Sequence, residues 1–172
     1  MDLAHLHLML NHVPVIGVIF GFLVLFAGLA TRLKTVAAVG LVFLIFAGLV
    51  AIPVYLTGEP AEEIVEHMPG VSEAVIGEHE SAATVSLVSA MLSALFSIAA
   101  LVFFRSRLVR IQGYLVIASL FISLITGILM VRTANLGGQI RHTEIRAASQ
   151  STTSGGESRH AENGKSEKHD DE

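Results

Sequence analysis

The sequence predicts an all-α integral membrane protein, an up-down-up-down bundle of four helices, and three observations carry that expectation. Mean hydropathy is +0.66, with 52% of 172 residues hydrophobic, too apolar for a soluble domain. The apolar residues fall in four long blocks, at about 13–31, 35–58, 81–104 and 111–131, none containing Asp, Glu, Lys, Arg or His. A hydrocarbon layer ~30 Å thick needs about 20 helical residues to cross it, so each block can span. Barrel strands are disfavoured, because they would alternate lipid-facing and lumen-facing side chains, whereas these blocks are apolar on all sides.

The first block lies near the start, yet no Lys or Arg precedes it and basic residues follow it, which distinguishes it from a cleaved leader. It is expected to remain as a span. Cysteine is absent, which removes disulfides, thiolate metal sites and covalently attached c-type haem. Histidine and carboxylate are then the strong ligands available.

Lys and Arg in short loops favour the cytoplasmic side, so Arg32-Leu33-Lys34 and the Arg105–Arg110 linker are expected inside. Residues 1–12, the loop 59–80 and everything after Val131 then lie outside, together with all 15 acidic residues and all eight histidines. Arg132, Arg141 and Arg146 count against this orientation, whereas the grouping of the histidines on one side is independent of it.

Short linkers make the first and second helices, and the third and fourth, antiparallel neighbours. Gly17, Gly21 and Gly28 on the first and Gly40, Ala47, Gly48 and Ala51 on the second permit close backbone approach, read as packing within the bundle. Ser86, Ser89, Ser93 and Ser97 form a stripe on the third helix, and Gln112, Ser119, Ser123 and Thr126 another on the fourth. Interhelical hydrogen bonding accounts for these better than a conduction path, which would need an ionisable residue within the membrane.

In the loop, Pro60 with Glu62 and Glu63 suits a short helix to Met68. Pro69-Gly70 should break it, and Ser72 should cap a helix that runs through Glu78-His79-Glu80 into the third span. After the fourth span, Gly137-Gly138 is expected to interrupt the helix, leaving 139–148 on the membrane surface. Residues 149–172, polar and without apolar anchors, read as a disordered tail behind a 1–148 transmembrane domain.

The histidines are the candidate ligands. His79, seven residues before Ser86, falls on the interior face, and His12 stands at the entrance of the first span beside Pro14. These two are expected to meet. As axial ligands they could hold b-type haem between helices for electron transfer, with Arg132 or Arg141 pairing the propionates. His7, His12, His67, His79 and His142, joined by Glu63, Glu66 or Glu80, could instead bind zinc or copper. The plainest alternative is that these are interfacial residues of a cofactor-free structural or accessory subunit, packed against a larger, respiratory-type membrane complex. No catalytic triad, phosphate loop or nucleic-acid face is recognisable, and a transporter or channel is disfavoured by the lack of intramembrane charge.

The opening His7-Leu-Met-Leu-Asn-His12-Val-Pro14 resembles the His-Pro-x-x-x-His-Phe-Pro start of an uncharacterised family of small bacterial four-span membrane proteins. Leu8 stands in place of that motif's first proline and Val13 in place of its phenylalanine. Thr57-Gly58-Glu59 and His79-Glu80 are similar to the same pattern. The resemblance implies a bacterial inner-membrane protein with His7, His12 and His79 at motif positions, and it supplies no reaction.

Overall fold

A computed structural model describes residues 3–105 and 108–141. Among them every regular element is a helix: α1 (Leu3–Leu10), α2 (His12–Ala30), α3 (Lys34–Leu56), α4 (Gly58–Val65), α5 (Glu73–Val102) and α6 (Val109–Arg141), with a short 3₁₀ turn at Phe103–Arg105. The stretches 3–30, 34–56, 73–102 and 109–140 are each long and apolar enough to cross a membrane. The expected tail, the surface segment beyond Arg141 and His142 lie outside the described residues.

The break between α1 and α2 has a local cause. Pro14 has no N–H to give the Leu10 carbonyl, and its ring crowds that group. α1 therefore ends at Leu10, and α2 restarts at His12. Between α2 and α3 the chain turns in a Schellman arrangement, in which the N–H of Arg32 donates to Leu29 O (3.2 Å) and that of Leu33 to Gly28 O (2.9 Å). Arg32 adopts φ 59° there, a left-handed conformation that costs a non-glycine residue ~1–2 kcal/mol. The Pro69-Gly70 break occurs as expected: Gly70 takes φ 82° and Val71 N–H closes the turn on Met68 O at 3.3 Å. α4 ends at Val65, a turn short of the expected Met68.

The long helices form a ring in which α2 packs on α3, α3 on α5, α5 on α6 and α6 on α2. Apart from Val18, Leu25, Leu41, Leu44 and Met130, most of what lies inside the ring is small, and many of its largest side chains lie outside. Ala47, Ala90, Ala94, Ala100, Ser93, Ser97, Ser119, Ser123 and Thr126 are buried, while Phe20, Phe46, Leu95, Phe121 and Ile128 each expose more than half of their surface. A water-soluble bundle would reverse that distribution. It is the distribution that suits helices in an apolar solvent, where association gains nothing from hiding large apolar groups and depends on close packing.

Close packing is supplied by the glycines, which face neighbouring helices of the same bundle as the sequence indicated. A Cβ at Gly21 would lie 2.7 Å from Leu44 Cδ2, one at Gly28 would strike the backbone of Ala37, and one at Gly40 would strike the backbone of Leu25. Gly48 abuts Ala94 and Ala90 of α5 in the same way.

Most of the stripe hydroxyls divide between two uses, while the buried Ser93 hydroxyl has no hydrogen-bond partner among the described residues. Ser89 pairs with Thr126 at 2.7 Å and Ser86 with Thr133 at 2.9 Å across the α5–α6 seam. Ser97, Ser119 and Ser123 bond to carbonyls of their own helices instead. Gly137-Gly138 does not interrupt α6, contrary to expectation. The helix continues to Arg141, with the Gln139 side-chain amide donating to Asn135 Oδ1 (2.6 Å) across the two glycines.

Candidate functional site

The ends of α3 and α6 and the start of α5 meet at one end of the ring, and α1 and α4 pack against each other there. Pro53 begins the construction of this end. Its missing N–H disturbs the last turns of α3, and Thr57, four residues on, turns its hydroxyl back to the Pro53 and Val54 carbonyls, both at 2.9 Å. His7 of α1 reaches the same place: its Nδ1 lies 3.0 Å from Val54 O and 3.3 Å from Thr57 Oγ1. A carbonyl can only accept, so Nδ1 carries the proton and the neutral ring keeps its lone pair on Nε2.

His79 of α5 is held in the same manner on the opposite side. Its Nδ1 donates to Thr133 O of α6 at 3.0 Å, again leaving the Nε2 lone pair. Gly137 makes the approach possible, since a Cβ there would sit 3.0 Å from His79 Cε1 and 3.3 Å from Nδ1. The glycine that read as a helix breaker is a notch for this imidazole. His7 and His79 are thus both held at this end of the ring, one on the last turn of α3 and the other on α6. Asn11, one helical turn beyond His7, has its Oδ1 buried without a hydrogen-bond partner among the described residues.

The other expected ligands are placed differently. His12, expected to meet His79, is exposed on the first turn of α2, and His7 is the histidine of this segment that is held at the same end of the bundle as His79. His67 leaves its side chain 79% exposed, 3.4 Å from Glu66, and its Nδ1 donates to the backbone oxygen of Glu63 at 3.1 Å, so the Glu63 carboxylate is not what holds it. Arg132 is exposed on α6. Arg141 closes α6, and nothing of its side chain is described. Among the described residues no three His, Cys, Asp or Glu side chains gather as a metal cluster.

Carboxylates add charge beside the histidines. Glu62 of α4 is pushed above the usual carboxylate range, first by burial and then by the charges of Glu80, Glu66 and Glu59. Its carboxyl therefore resists ionisation in a field that would attract a cation. The sequence reading did not anticipate Thr57, Thr133 or Gly137. Thr57 bonds back to carbonyls of its own helix, as hydroxyls on helices commonly do, and its place beside Gly58 in the motif resemblance was the available signal.

The chain matches no family model, no curated protein and no solved structure. Three of the positions that carry the motif resemblance nonetheless meet in space, for Thr57 bonds to His7, and Gly58 lies against the same ring.

Proposed function

We infer that this chain is an integral protein of the bacterial inner membrane, an up-down-up-down bundle whose extracytoplasmic rim binds a transition metal through His7 and His79 for electron transfer. For electron transfer the metal is copper or the iron of a b-type haem; zinc, which has no redox chemistry, would suit the same imidazole donors only in a role without electron transfer. One observation carries the reading: two imidazoles at the same end of the bundle, each fixed through Nδ1–H on a backbone carbonyl. Carbonyls at that nitrogen set the tautomer and orientation of metal-binding histidines, aiming Nε2 as the donor.

The donor set fits an imidazole-preferring metal, since neutral nitrogen suits copper, zinc and iron alike. Two protein nitrogens do not fill the four-coordinate shell of a structural zinc, which favours an open site over a closed one. His7 and Thr57 tie α1 to α3, and His79 and Thr133 tie α5 to α6, so that both ligands sit on packed helices. The unpartnered Asn11 Oδ1 could take a hydrogen bond from a water or ligand held at the rim.

The orientation follows the positive-inside argument from Arg32, Lys34 and the Arg105–Arg110 linker. The test is purification in detergent from a haem-replete host with copper and zinc supplied, followed by oxidised and reduced optical spectra and elemental analysis. A Soret band, or near-stoichiometric metal, should be present in the wild type and lost in His7→Ala and His79→Ala. Colourless, metal-free protein, or metal unaffected by both substitutions, would favour the cofactor-free accessory subunit.

A further inference from the structure

A groove of about 460 Å³ opens between the first turns of α5 and the last turns of α6, on the flank of the bundle. Small-molecule sites span about 300–1,000 Å³, so it could accept a headgroup. Ala82, Val85 and Leu129 give it an apolar wall, while Glu78, Ser81 and Arg132 line its polar part. Glu78 and Arg132 face the same space, yet no ion pair joins them among the described residues. Both side chains are exposed, so pairing with each other would gain little, and their opposite charges are available to the two ends of a dipolar ligand.

The depth of the groove is informative. Glu78 lies just before the uncharged block that begins at Ser81, and Arg132 follows directly on the block that ends at Val131. If the blocks span the bilayer, the two charges stand at the headgroup level and the apolar wall runs on into the acyl region.

We propose that this groove binds a zwitterionic phospholipid with a primary-amine headgroup, its phosphate on Arg132 and Ser81 and its ammonium on Glu78. Guanidinium and hydroxyl donate to phosphate oxygens. A primary ammonium can donate to a carboxylate, which a quaternary choline cannot do. An anionic lipid would gain Arg132 but bring negative charge toward Glu78. The charge pattern thus matches a dipolar head better than a singly charged one.

The proposal rests on the membrane reading above, and the experiment separates the two. The full chain is extracted from membranes and, in micelles, offered equal amounts of phosphatidylethanolamine, phosphatidylcholine and phosphatidylglycerol, with retained lipid read by native mass spectrometry. Recovery without detergent would defeat the membrane reading itself. With an embedded chain, phosphatidylethanolamine should be retained about tenfold over the other two, the ratio set by one charge-assisted hydrogen bond. Glu78→Gln should erase that preference, and Arg132→Gln should lower retention of all three lipids. Thermal melts of both variants establish that they remain folded. Equal retention by the wild type, a preference for phosphatidylglycerol, or preferences unaltered in folded variants would overturn the proposal.

Discussion

Along the α2–α3 seam glycines let backbone meet backbone, and along the α5–α6 seam hydroxyls meet hydroxyls. Gly28 and Gly40 lie against the main chain of Ala37 and Leu25, whereas Ser86, Ser89, Thr126 and Thr133 bond across their seam. Both solutions suit helices in apolar solvent, where hiding large side chains gains nothing. They differ in what they permit at the ends. A steric seam stops where the helices diverge, whereas the polar seam continues upward: Thr133 bonds Ser86 with its hydroxyl and His79 with its carbonyl. The histidine site is the top rung of the α5–α6 ladder.

Substitutions can break this contrast, the largest effect being expected in the glycine seam. Gly40→Val should destabilise the fold by about 3 kcal/mol, because the added atoms meet Leu25 backbone that cannot turn aside. Denaturant unfolding in mixed micelles measures it, and a loss under 1 kcal/mol would show that the seam can open.

Next come the paired glycines of α6. Gly137→Leu should cost about 2 kcal/mol and displace the His79 ring. Gly138→Ala, with nothing within 4 Å of the added carbon, should stabilise by up to ~1 kcal/mol through helix propensity. The same unfolding assay reads both, and equal effects would deny the notch.

A double-mutant cycle on Ser86→Ala and Thr133→Val should give a coupling near 0.6 kcal/mol, the usual size for hydrogen bonds between membrane helices. Zero coupling would make the polar seam a matter of shape alone.

The smallest effect belongs to Glu62. Its folded pKa is raised, so the folded state holds the proton more tightly than the unfolded chain. Whatever stability this supplies is complete below the ordinary carboxyl value of 4.5 and lost as pH rises through the folded pKa. Glu62→Gln should therefore flatten the fall in stability on the alkaline side of 4.5. An unchanged pH profile from thermal melts would contradict it.

The spans were legible because absence of charge over some 20 residues is a one-dimensional property, and the ends of α3 and α5 fall close to the blocks that predicted them. Small-residue packing was legible for the same reason, since only glycine and alanine permit close approach at that spacing. Gly137 was misread because a glycine that frees the backbone and one that makes room for a neighbour look identical in sequence. The histidine pairing was missed through direction. His7 and His12 are five residues apart on either side of the break at Asn11, and which of them turns inward depends on how α1 leaves α2. The serines likewise shared a face, but which hydroxyls cross the seam depends on the vertical register of α5 against α6.

The most direct test of the central claim, that His7 and His79 act as one site, is imidazole ¹⁵N NMR of the full chain in micelles during titration with Zn²⁺. The Nε2 signals of His7 and His79 should move together and be complete at one equivalent, while those of His12 and His67 stay in place. Independent shifts of the two, or a response confined to His12 or His67, would contradict the account.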